Sequence, residues 1–217
     1  MPSNRLFLDA DPRIWRGRER AAIDALPTGF DVLDRYLPGG GWPRRALTEI
    51  LVDRYGIGEL SLLMPALARL SERASCTKRW IVWIAPPYVP YAPALRFSGI
   101  DLSRVLLVQP IREKKDVLWA IEQALRSGSS IAVLAWLERA SSIALRRLQL
   151  AAEEHDCWAV LFRSARALGA SSPAALRVCL SSGSDYARLE IVKCRGKRPH
   201  NVALKLAVPN HMRVLPN

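Results

Sequence analysis

A chain of 217 residues, half of them hydrophobic, is long enough to enclose one core and too short for a two-domain enzyme. Thirty-two Lys and Arg against 20 Asp and Glu leave a net charge of +12, a field that favours polyanions and places nucleic acid, or a partner held on it, first among binding classes. No window approaches about 18 uninterrupted apolar residues and the first residues lack the apolar run of a secretory signal, so a cytoplasmic protein without a membrane partner is expected.

In chain order, residues 1–25 are polar and rich in arginine, with Arg13, Arg16, Arg18 and Arg20 around Trp15, and read as a basic arm outside the core. A single domain is expected over 26–208 and a loose tail over 209–217. Apolar runs at Ile81–Ala85, Val105–Gln109, Ile131–Trp136 and Trp158–Phe162 have the length of strands buried on both faces. Between them Val117, Ile121 and Leu125, then Leu145, Leu148 and Ala152, recur at helical spacing, the second set with Arg146 and Arg147 turned away. Strand alternating with helix predicts an α/β fold, a mostly parallel twisted sheet with flanking helices. After Pro173 the runs Leu176–Leu180, Leu189–Lys193 and Val202–Ala207 predict an antiparallel meander. Cys76, Cys157, Cys179 and Cys194 have no metal-ligand spacing among themselves or with the three histidines, and read as buried or inert thiols, so no metal or cofactor is expected.

Ligands of such sheets sit at the carboxyl ends of the strands, beginning with the turn after the first core strand. That strand is Glu49–Val52, and Asp53-Arg54-Tyr55-Gly56-Ile57-Gly58 leads on to Glu59 and Leu60. A phosphate-binding loop of the form G-x-x-x-x-G-K-[ST] uses backbone amides, a lysine and a metal-binding hydroxyl. With Gly58 as its second glycine, Asp53 replaces the first, Glu59 the lysine and Leu60 the hydroxyl. A unit charge pair about 4 Å apart is worth about 4 kcal/mol at an effective dielectric near 20, so Glu for Lys turns attraction into repulsion of that size. Pro65 further delays or kinks the helix whose dipole would face an anion. The turn reads as a degenerate nucleotide site or as one that never bound phosphate.

The flanking residues add a resemblance. Thr28-Gly29, Leu33-Asp34, Gly39-Gly40-Gly41-Trp42-Pro43-Arg44-Arg45 and Glu49-Ile50 precede the turn; Gly99-Ile100-Asp101, Leu107-Val108-Gln109-Pro110, Ala124-Leu125-Arg126-Ser127-Gly128 and Val192-Lys193-Cys194-Arg195 follow it. This ordered series resembles the RecA recombinase family over roughly residues 27–207. The departures are as informative. The turn at Ile84–Tyr88 lacks the family's catalytic glutamate, Leu134-Ala135-Trp136 lacks its metal-binding aspartate, Phe162-Arg163-Ser164 stands at its polar sensor, and its DNA-binding loops are shortened around Leu137–Ser142 and Ala167–Ser172. Phosphoryl transfer depends on such groups, so the resemblance implies a RecA-like core without ATPase chemistry.

These losses in a chain of this length resemble the ImuA family of RecA-like accessory proteins. That resemblance implies a non-enzymatic role in SOS-induced mutagenic translesion synthesis, with ImuB as partner and RecA, a DnaE-type polymerase and single-stranded DNA as further contacts. The SulA family, RecA-like inhibitors of the division protein FtsZ, is the alternative. Lys193 and Arg195 match positions that reach across a RecA filament interface, and Lys197 and Arg198 extend the cluster; with Arg44 and Arg45 they either contact DNA or an acidic partner, or form an ordinary solvated surface. Phe7 and Ala10 fit the family's F-x-x-A docking arm, a short pattern that also arises by chance, and Trp15 is a candidate interface anchor.

Overall fold

The structure, a computed structural model, describes residues 24–109, 114–182, 187–195 and 199–204. The candidate arm residues Phe7, Ala10 and Trp15, the cluster residues Lys197 and Arg198, and the tail 209–217 lie outside the described residues.

A two-stranded ribbon pairs β1 (Ala25–Leu26) with β2 (Trp42–Pro43) around the short helix α1 (Asp31–Asp34). The main sheet then takes β3 (Leu47–Val52), β4 (Trp80–Ile84), β5 (Val105–Val108), β6 (Ser130–Trp136), β7 (Trp158–Ser164), β8 (Leu176–Ser182), β9 (Ala187–Cys194) and β10 (His200–Leu204). Its order is β10-β9-β8-β3-β7-β6-β4-β5, parallel from β8 to β5 and antiparallel from β8 to β10. Helices α2 (Met64–Thr77), α3 (Ala92–Phe97), α4 (Lys114–Arg126) and α5 (Ser142–Glu154) lie between the strands in chain order. The mixed α/β class, the mostly parallel sheet and the closing meander agree with the sequence pattern.

Two apolar layers form because neighbouring residues of a central strand point to opposite faces. Ile50 and Val52 join Leu67 and Leu70 of α2 on one face, while Leu47 joins Leu145 and Leu148 of α5 on the other. Trp83, Trp136 and Phe162 stack in sequence on the α2 face, with ring centres 5.7 and 4.5 Å apart, and Trp42 packs against Trp158. Helix α5 starts where Ser141 turns its hydroxyl to accept the Ala144 amide. One expectation fails: β5 is not buried on both faces. It is the edge strand, and Leu106 and Leu107 are 44% and 40% exposed, because no further strand or helix covers that border among the described residues.

Much of the ordered motif series before β3 is scaffolding. The Asp34 carboxylate accepts the Thr28 amide at 3.0 Å, and the Thr28 hydroxyl accepts the Phe30 amide at 3.0 Å. Gly29 has φ +86° and lies against the Pro65 ring, where a Cβ would overlap. Gly41 is extended, and a Cβ there would run into the Leu26 carbonyl. The ribbon and the start of α2 are thereby pinned to each other ahead of the turn that follows β3.

Candidate functional site

The turn Asp53–Gly58 leaves the carboxyl end of β3, and its backbone reverses twice through Gly56 (φ +86°) and Gly58 (φ +101°). Both conformations favour glycine. Glu59 then folds back into the turn: the Gly56 amide donates to both carboxylate oxygens at 3.1 Å, and the Ile57 amide donates to Oε2 at 3.0 Å. Its side chain is buried, and no described lysine or arginine forms an ion pair with it. Leu60 packs partly buried against the core. Helix α2 begins at Met64 with Pro65 in its first turn, where the missing N–H and fixed φ are tolerated. The Tyr55 hydroxyl beside this turn is held above its ordinary pKa, first by burial and then by the charges of Glu138 and Glu59. The sequence placed a repelling charge here; the structure adds that this charge sits on the turn's own amides.

Next to the turn, a polar cleft of about 660 Å³ opens at the carboxyl ends of β3, β6 and β7, lined by Asp53, Glu138, Arg139, Arg163 and Arg166. The loops 137–142 and 167–172 contribute to its lining. Arg163, at the expected sensor position, points inward: its Nη1 donates to Glu49 Oε1 at 2.6 Å, while Arg177 Nε lies 2.7 Å from Glu49 Oε2. All three side chains are almost fully enclosed. Arg177 also donates to the carbonyls of Ala167 and Ala170 at 2.8 and 3.0 Å, fastening the loop after β7. Sequence reasoning missed this triad; its signal was an acid inside the strand Leu47–Val52, whose other residues apart from Thr48 are apolar.

The basic candidates gather at the opposite, amino ends of the parallel strands. Arg44 Nη2 meets Asp156 Oδ2 at 3.0 Å and Arg44 also pairs with Asp24; Arg45 Nε lies 3.6 Å from Asp156 Oδ1, and Arg79 reaches the same carboxylate at 3.5 Å. Arg195 Nη1 meets Glu153 Oε1 at 3.0 Å. Lys193 donates to the Ser172 carbonyl at 2.6 Å, and burial first, then the charges of Arg195 and Arg177, pull its pKa down. Arg45 and Arg195 share the rim of a mainly apolar cavity of about 270 Å³ floored by Pro43, Leu176 and Cys194. Arg44, Arg45 and Arg195 thus meet on one edge, each already paired with an acid.

The cysteines are not uniformly buried: Cys76 is exposed on α2, whereas burial pushes the Cys157 thiol up to about 12. Among the described residues, no group of three His, Cys, Asp or Glu side chains is arranged to hold a metal.

Comparison with known proteins follows the same lines as the motifs. A family model described as cell division inhibitor SulA matches residues 48–159. SulA of Pseudomonas aeruginosa is 38% identical over 132 residues, covering 61% of this chain and 80% of that protein. The protein ImuA of Caulobacter vibrioides is 26% identical over an alignment of 217 positions, covering 88% of this chain and 87% of that protein. The crystal structure of the Pseudomonas SulA aligns with 54% of this chain and 97% of its own, at 32% identity and a TM-score of 0.45. Both expected likenesses, to ImuA and to SulA, are present, and because the family model spans more than half of the 217 residues, the chain belongs to the SulA family.

Proposed function

We propose that the protein is a non-enzymatic accessory factor of the DNA-damage response, built on a RecA-like core and acting in an ImuA-type translesion synthesis assembly. The observation that carries this reading is extent: the likeness to ImuA runs over 88% of this chain and 87% of that protein, well beyond the stretch matched by the SulA model. The parallel sheet with helices between its strands and a closing antiparallel meander supports the RecA-like core over residues 26–208, between a basic arm and a short tail. Glu59 on the turn amides, Leu60 in place of a hydroxyl and Ala135 and Trp136 in place of an acid support a core without ATP turnover. The partners in this reading are ImuB, RecA, a DnaE-type polymerase and single-stranded DNA. This reading places the protein's action in the cytoplasm; among the described residues, no helix is long and apolar enough to cross a membrane.

The second reading is inhibition of FtsZ in the manner of SulA, and the 38% identity to the Pseudomonas protein favours it. Two assays separate them. The first reading predicts that the full chain co-purifies with ImuB and leaves the GTPase activity of FtsZ unchanged. Failure to form the ImuB complex at any salt concentration, together with suppression of FtsZ GTPase, overturns it in favour of the second. If single-stranded DNA is bound directly through Arg195 and Lys193, neutralising either lowers the salt dependence of affinity by about one unit.

A further inference from the structure

The amides of Gly56 and Ile57 converge on one place, at 3.0–3.1 Å from a carboxylate. Successive N–H groups aimed at one point form an anion-binding concavity, and two positive-φ glycines are what give this turn that shape. The carboxylate there is buried and, among the described residues, pairs with no cation and accepts its hydrogen bonds from backbone amides. A buried charge without a counter-ion persists only where hydrogen bonds to the charged form replace its hydration.

We propose that the turn Asp53–Gly58 is a working site for a small oxyanion whose ligand is the chain's own Glu59, and that removing this carboxylate opens the site to acetate or inorganic phosphate. The inference rests on the reading above, in which this turn binds no nucleotide, and deepens it: the nucleotide position is not merely spoiled but internally liganded. The turn therefore holds its anion-bound shape at all times, independent of any nucleotide.

Charge and space define the ligand class. A singly charged oxyanion, acetate or dihydrogen phosphate, replaces the lost carboxylate with no net change, whereas a triphosphate brings several further charges beside Asp53, Glu138 and the Tyr55 ring. Access comes from a cavity of about 170 Å³ between the turn and α3, lined by Gly56, Gly58, Leu60, Met64, Pro90 and Tyr91. That volume admits acetate or phosphate together with a few waters.

The test compares the full-length wild type with Glu59→Ala, titrated with sodium acetate and with sodium phosphate against sodium chloride at matched ionic strength. Thermal midpoint and the amide resonances of Gly56 and Ile57 are followed. In Glu59→Ala, acetate and phosphate shift both resonances saturably in the millimolar range and raise the midpoint, while chloride does neither. Wild type responds to none of the three beyond the general salt effect. If Glu59→Ala is unfolded in chloride, restoration of its folded spectrum by acetate supports the site, and remaining unfolded in all three salts overturns it. A folded Glu59→Ala whose amides ignore acetate and phosphate also overturns it, as does a saturable response in wild type. None of these outcomes bears on nucleotide binding by wild type, which is measured separately.

Discussion

Glu49 and Glu59 stand ten positions apart in the chain, both are buried, and they are stabilised by opposite means. Glu49, in the middle of β3, is held between the guanidinium groups of Arg163 and Arg177. Glu59, beyond the strand, is held by the neutral amides of Gly56 and Ile57. A sheet interior has no spare N–H groups, since its backbone is already paired, so a charge placed there needs counter-charges. A turn that lacks repeating backbone bonds can offer its own amides instead. The contrast explains why one acid locks three strands together while the other shapes only its own loop.

Breaking the interior member has the largest expected effect. Glu49→Gln leaves two buried arginines without their counter-ion and costs about 3–5 kcal/mol in denaturant unfolding. Replacing Glu49, Arg163 and Arg177 together with apolar residues of similar volume restores most of that loss, because it removes the desolvated charges rather than orphaning them. On the turn side, Gly29→Ala drives a Cβ into the Pro65 ring from a left-handed backbone and disturbs the start of α2, for about 2 kcal/mol in the same measurement.

Asp156 sharpens the comparison because it also faces several arginines, Arg44, Arg45 and Arg79, but with its side chain 37% exposed. Solvent screening limits Asp156→Ala to about 1 kcal/mol, well below Glu49→Gln despite the larger number of cations. Cys157, one residue on, is the case of burial without sufficient support: its thiol is pushed up to about 12, with burial outweighing the opposing charge of Arg79. The neutral thiol is the folded form, so its contribution to stability is complete below the ordinary value of 9.0 and is lost as pH rises from there through about 12. At pH 8 the measurable consequence is selective chemistry: iodoacetamide labels exposed Cys76 and spares Cys157 until the protein unfolds.

The main-sheet strands and helices α4 and α5 were legible because their apolar residues keep clean periods, whereas the β1–β2 ribbon, α1 and α3 are too short to show one. The exception, β5, carries the run Val105–Val108 that its buried neighbours also carry, and an apolar run does not say how many sides will be covered. The site was legible in composition but not in geometry. Asp53, Glu59 and Leu60 could be read as losses from a phosphate loop, yet the return of Glu59 to the Gly56 and Ile57 amides depends on backbone angles that residue types do not specify. The Glu49 triad was hidden for another reason: Arg163 and Arg177 are far from Glu49 in sequence and come together only through parallel pairing of β3 with β7 and β8. Arg44, Arg45 and Arg195 read as contact or solvated cations, because the Asp156 carboxylate that Arg44 and Arg45 share lies over a hundred residues away in sequence and the Glu153 that meets Arg195 lies on α5.

The central claim, that Glu59 occupies the place a nucleotide phosphate would need, is tested most directly by calorimetric titration of the wild-type chain with Mg-ATP. The account predicts no saturable heat across the micromolar range; a one-to-one binding isotherm that disappears when phosphate-sized anions fill the turn would contradict it.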